Sequence, residues 1–262
     1  MRLPNLSQTL VRGVDIWKRF KIPHEKKHTI FEETAGLVGL AKGRRIAYEE
    51  YWALKGVSFE LNEGEWLGVV GANGSGKTTL LKIIAGITPP TKGRIDVHGR
   101  IATILQLGVA FHPELTVKEN IILYSSVMGI PGKEARRRIP DILAFAGGNI
   151  DKFVDAKLKA LSSGMQSRLA FAVAIHTDPD IFFIDEALAV GDLEFRQKCL
   201  DTFESYKGEK AMVLVTHDLG LLTQFCSRAI WLSQGQVISS GEPVEVANQY
   251  KASIDLGATI AA

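Results

Sequence analysis

Gly71-Ala72-Asn73-Gly74-Ser75-Gly76-Lys77-Thr78 stands between an apolar run, Trp66–Val70, and a helically spaced run, Lys77–Ala85. A glycine-rich turn joining a buried strand to a helix restricts the chain more than any other stretch of it. At the glycines no Cβ blocks the close approach of backbone to a phosphate, so consecutive N–H groups can turn inward as an anion nest. The helix that begins near Gly76 adds the positive end of its dipole. In such a loop Lys77 reaches the β- and γ-phosphates and the Thr78 hydroxyl ligates Mg²⁺, with Thr79 beside it. The spacing predicts a nucleotide site on an α/β fold.

The rest of the pattern agrees. Ile181-Phe182-Phe183-Ile184-Asp185-Glu186 is an apolar strand ending in two acids. A buried strand would deliver Asp185 to the sheet edge where open α/β sheets bind ligands. There it can hold the metal through water while Glu186 polarises the attacking water. Further strands are expected at Ala53–Leu61 and 212–215, with helices at 165–177 and 193–206, so strands and helices alternate around a parallel sheet. Residues 94–105, RIDVHGRIATIL, read as two strands around a His98-Gly99 turn. Residues 114–160 read as helical, broken at Gly129–Gly132 and Gly147–Gly148, and suggest a helical subdomain over about 113–164. The charged, weakly periodic stretch from 21 to about 50 reads as an inserted arm, with a short helix around 29–40.

Composition narrows the function classes. The chain has 262 residues, 46% of them hydrophobic, which suits one large α/β domain or two small ones. Lys+Arg 31 against Asp+Glu 29 leaves a net charge of +2, which argues against a nucleic-acid partner. Cys199 and Cys226 cannot build a disulfide framework and are expected as reduced thiols. There is no run of about 18 apolar residues and no secretory pattern in MRLPNLSQTLVRGVD, so a cytosolic chain is expected.

The residues around the two phosphate motifs resemble the nucleotide-binding subunits of ABC transporters. Leu161-Ser162-Ser163-Gly164-Met165 stands in the place of that family's signature, with Ser for Gly at 163 and Met for Gln at 165. Gln106 matches its glutamine loop, Ala189-Val190-Gly191-Asp192 its D-loop, and His217 its switch histidine. The five elements occur in the family's order over roughly residues 10–250. The resemblance implies ATP and Mg²⁺ as ligands, with Gln106 also near the metal. It implies a head-to-tail homodimer in which Ser162 and Gly164 of one copy close over the P-loop of the other, and a separate integral membrane permease. YWALKGVSFELNEGE, LQLGVAFHPELTVKENI and LSSGMQSRLAFAVAIHTDPDIFFIDEALAVGD are similar to the group that exports O-antigen, teichoic acid and related lipid-linked polysaccharides. That group works at the cytoplasmic face of the membrane. Some of its members carry a C-terminal carbohydrate-binding domain, which is not expected in the twelve residues after Tyr250. The other readings are an ABC subunit for another substrate and a soluble ABC-type ATPase acting on DNA or the ribosome. The short interval between P-loop and acidic strand, without a heptad run or a second cassette, speaks against the last.

An aromatic ring should stack on adenine. Phe20, Tyr48 and Tyr51 are the candidates, Phe20 and Tyr51 ahead of Tyr48, and Trp52 and Trp66 are expected in the core. His24-Glu25-Lys26-Lys27-His28 spells a zinc-protease pattern, but Pro23 precedes it and no amphipathic helix carries it. The basic runs Arg136–Arg138 and Lys42–Arg45 read as solvated faces, and His176 reads as a packed side chain.

Overall fold

The computed structural model describes residues 8–24, 47–104, 111–185 and 192–261. Two sheets organise it. The larger has the order β5(Ile101–Ile104), β6(Ile181–Asp185), β7(Ala211–Val215), β3(Trp66–Val70), β8(Arg228–Ser233), β9(Gln236–Gly241). All neighbours in it are parallel except β8 and β9. Strands β3 and β7 are buried along their whole length, as strands covered on both faces must be, and so their sequences are continuous apolar runs. The smaller sheet is antiparallel, with β1(Thr9–His24) between β2(Ala47–Asn62) and β4(Lys92–Val97).

Helix α1(Lys77–Ile84) lies between the two sheets. Its Leu80, Leu81, Ile83 and Ile84 share one core cluster with Leu54, Val57, Phe59 and Leu61 of β2 and Leu67 and Val69 of β3. Helices α2(Val117–Val127) and α3(Gly132–Ala146) form a separate layer. Helix α4(Ser163–Ile175) belongs to both regions. Its Leu169, Ala170, Ala172 and Val173 pack in the helical layer, and its Phe171, Ala174 and Ile175 pack on the main sheet. A helix buried on all sides needs no polar face, which is why α4 carries an unbroken apolar run after Arg168. Helices α5(Leu193–Ser205), α6(Leu219–Phe225) and α7(Pro243–Ala261) complete the chain. Helix α6 packs so closely on β3 that a Cβ placed on Gly68 would lie 2.1 Å from Leu222 Cδ1. No helix among the described residues is long and apolar enough to cross a membrane.

Several expectations need correction. The strands on either side of His98-Gly99 exist but do not pair, because β4 joins the small sheet and β5 the large one. Residues 21–24 and 47–50 of the expected arm continue β1 and β2 as paired strands, while its middle and the expected helix at 29–40 lie outside the described residues. His24 is therefore on a strand, which removes the helical spacing a zinc-protease pattern needs. Trp66 is buried as expected, whereas Trp52 is only half-buried. Trp52 packs edge-on against Trp17 at 5.5 Å, with the Arg19 guanidinium 5.4 Å from its ring centre. Its place on the outward face of the small sheet follows from the β1–β2 register, which pairs it with Arg19.

Candidate functional site

Strand β3 ends at Val70 and the chain turns through Gly71–Gly76 into α1. At Gly71 (φ 152°) a Cβ would lie 2.1 Å from Leu232 O; at Gly76 (φ 108°) it would lie 2.6 Å from Ala53 O. Both positions therefore require glycine, on steric grounds as well as for their left-handed backbone. The loop encloses a cavity of about 560 Å³ lined by Tyr51, Ala53 and residues 73–79. Lys77 is buried and its Nζ donates to Gly71 O at 2.6 Å and Ala72 O at 3.1 Å. The Ser75 side chain is buried too, and its Oγ has no hydrogen-bond partner among the described residues. An orphaned buried hydroxyl is costly unless a ligand or ion meets it. Together with the amide-rich glycine turn and a lysine at its mouth, it fits a phosphate.

Sheet register places the rest. Val69 pairs with Val215, and Val215 pairs with Asp185. Asp185 thus lies level with the end of β3, two strand spacings or roughly 10 Å across the sheet. His217, exposed, follows Val215 by two residues at the same sheet edge. Glu186, Gln106 and Ala189–Gly191 lie outside the described residues.

Among the aromatic candidates, Tyr51 lines the cavity and its hydroxyl donates to Gly74 O at 3.2 Å. Phe20 is its cross-strand partner and half-exposed, but its ring lies under Lys18 Nζ at 5.3 Å and does not line the cavity. Tyr48 pairs with Pro23, further out on the ribbon.

Ser162 and Gly164 are exposed at the start of α4, and neither lines the cavity of its own chain. Ser162 Oγ accepts the Met165 N–H at 3.3 Å as an N-cap. A Cβ on Gly164 would meet nothing within 4 Å, so no packing inside the chain demands glycine there. Asp192, expected at the nucleotide, is engaged within its own chain. Its carboxylate accepts the Phe195 N–H at 3.0 Å, capping α5, and receives Arg168 Nη2 at 3.0 and 3.3 Å. The Phe195 N–H, and then Arg168, hold its pKa below the usual carboxylate range. Arg168, which also stacks 4.7 Å over the Phe195 ring, was not singled out by sequence. Nothing but its position three residues beyond Met165 marks it. His176 is packed as expected: its Nδ1 meets Ala172 O at 2.7 Å and its ring stands edge-on to Phe145. Of the basic run, Arg138 is partly buried and donates to His176 O and Glu134, while Arg136 and Arg137 are exposed.

The chain matches the ABC transporter family over residues 54–189, just over half of its length. It is 44% identical over 205 residues to the O-antigen export system ATP-binding protein RfbB of Myxococcus xanthus, covering 78% of this chain and 46% of that protein. It is 43% identical over 203 residues to the teichoic acids export ATP-binding protein TagH of Bacillus anthracis, covering 77% of this chain and 36% of that protein. The chain thus spans less than half the length of either relative. In fold it is similar to the ATP-binding cassette MJ0796, seen as a dimer bound to ADP and Pi, with a TM-score of 0.67 at 24% identity over 89% of this chain and 98% of that one.

Proposed function

Because the chain belongs to the ABC transporter family, we propose that it binds and hydrolyses ATP to power export of a lipid-linked cell-surface polysaccharide through a separate membrane permease. Two copies act together at the cytoplasmic face of the membrane, each lending Ser162 and Gly164 to the P-loop of the other. The observation that carries the nucleotide reading is the cradle of Gly71–Gly76, with its orphaned Ser75 Oγ and with Lys77 at its mouth. The similarity to O-antigen and teichoic acid export proteins carries the substrate reading. The homodimer reading rests on the exposure of the Ser162–Gly164 turn away from its own cavity.

In this scheme the backbone amides of the loop and Lys77 hold the β- and γ-phosphate oxygens, and Tyr51 stacks on the base. Thr78, Asp185 and Gln106 would hold Mg²⁺, which would supply positive charge to offset the charge developing on those oxygens. Glu186 accepts a proton from the attacking water, and His217 orients the γ-phosphate from the same sheet edge. Glu186→Gln should leave ATP binding intact and lower hydrolysis by roughly 10²–10⁴-fold, the contribution of a positioned base. Lys77→Ala should weaken nucleotide binding by roughly ten- to a hundredfold, because charged hydrogen bonds to phosphate are lost without replacement. Calorimetry and phosphate release on the purified chain test both. Wild-type ATP affinity in Lys77→Ala would overturn the assignment of the loop. The substrate is tested by deleting the gene and assaying polysaccharide at the cell surface; unchanged surface polymer would refute that part.

A further inference from the structure

The chain enters the helical layer and leaves it along two segments that lie side by side. Residues 112–116 lead into the helical layer, and residues 157–161 run directly into Ser162. Thr116 and Lys157 form an antiparallel bridge. Leu158 N–H donates to Leu115 O at 2.9 Å, Lys159 N–H to Pro113 O at 3.2 Å, and Val117 N–H to Ala156 O at 3.0 Å. Beneath them lies Asn120, fully buried. Its Oδ1 accepts the His112 N–H at 2.7 Å, and its Nδ2 faces the carbonyls of His112, Leu115 and Thr116 at 2.9 to 3.1 Å. Above them, the two carboxylate oxygens of Glu114 receive Lys157 Nζ at 2.9 Å and Lys159 Nζ at 2.8 Å. The exit segment is fastened onward to the signature turn, since Gln166 Nε2 donates to Leu161 O at 3.0 Å.

We propose that Glu114 is a positioning residue for hydrolysis: by holding Lys157 and Lys159 it locks the entry segment to the exit segment. Ser162, which follows the exit segment directly and serves the partner copy's nucleotide, is thereby held in place. This rests on the reading of the chain as an ATPase that works in pairs. A single exposed ion pair contributes little, because water screens it and two long side chains must be ordered. Here one carboxylate serves two ammonium groups whose backbones are already fastened to its own segment, so less freedom is lost for each contact. The hydrogen bonds from Lys159 and Lys157 pull the Glu114 pKa down to about 2. The clamp is therefore charged throughout the neutral range and responds to salt, not to pH.

The test compares the wild-type full chain with Glu114→Lys and with the charge exchange Glu114→Lys/Lys157→Glu/Lys159→Glu. Glu114→Lys should keep the wild-type KM for ATP and lose roughly three- to tenfold in kcat, a loss on the scale of a small ion-pair network. The charge exchange should recover most of that loss, and high salt should bring the wild type towards the single variant. Amide hydrogen exchange at Ser163–Gln166 should quicken in Glu114→Lys and slow again in the charge exchange, a readout that needs no hydrolysis. Unchanged kcat and exchange in Glu114→Lys, a KM that rises in step with the fall in kcat, or no recovery in the charge exchange would each overturn the proposal. A wild-type chain that does not hydrolyse ATP would count against the proposed function instead, and the exchange rates alone would then decide whether the clamp exists.

Discussion

His176 shows how a residue's surroundings set its chemistry. Burial beside Phe145 lowers its pKa from the ordinary imidazole value, outweighing the hydrogen bond to Ala172 O. The folded state therefore prefers the neutral ring. Between the unfolded value of about 6.5 and the lower folded value, the unfolded chain binds more protons, so stability rises with pH in that window. The contribution is complete above that window and is lost as pH falls through it. His176→Gln should flatten the dependence of Tm on pH just below the ordinary imidazole value of about 6.5; equal slopes in variant and wild type would show that the ring titrates normally. The same scale separates legible from illegible residues at the site. Lys77 and Thr78 were readable because their roles follow from a fixed spacing after a strand. Asp192 was readable in position, but its carboxylate is turned to Arg168 and to the cap of α5, contacts that sequence order does not contain.

At the scale of elements, close packing against the main sheet decides what can change. Helix α6 approaches β3 over Gly68, where any Cβ would run into Leu222 Cδ1 at 2.1 Å and Cys226 Sγ at 3.0 Å. Gly68→Ala should cost about 1–3 kcal/mol, the usual penalty for overpacking. The effect should be read as a lower urea midpoint with unchanged m. Because β3 feeds directly into Gly71, the variant should also weaken nucleotide binding, and full stability with full affinity would show that α6 yields freely. Strands β3, β6 and β7 were legible as apolar runs, since strands covered on both faces leave that mark. Strand β1 was not read as a strand. Its alternation is broken by register shifts between Gly13 and Arg19, and Asp15 takes a left-handed backbone at φ 48°.

At the scale of the whole molecule, the cavity at Gly71–Thr79 and the exposed turn at Ser162–Gly164 are separate surfaces of one chain, and under the proposed function a complete site takes two copies. Ser162→Arg should spare nucleotide binding by the isolated chain and prevent closure, because a bulky side chain would occupy space that backbone must enter. A mixed dimer of Ser162→Arg with Lys77→Ala concentrates both lesions on one composite site and leaves the other intact. It should hydrolyse ATP faster than either variant alone. Cysteines placed at Ser75 and Ser163 should join two chains on ATP addition; crosslinking confined within single chains would sink the paired arrangement.

The motif Gly71–Thr78, the acidic end of β6 and the order of the loops between them were determined by sequence alone, because each depends on local spacing: glycine where backbone meets phosphate, apolar residues where a strand is covered twice. Only the tertiary structure decided that β4 and β5 part company across His98-Gly99, that Trp52 faces outward, and that Tyr51 reaches the cavity while Phe20 does not. It also decided that Glu114 meets two lysines from the far end of the helical layer. Those facts come from strand partners and segments distant along the chain. Local propensity carries no information about which distant segment will be brought alongside, and that choice falls to the burial of the core as a whole.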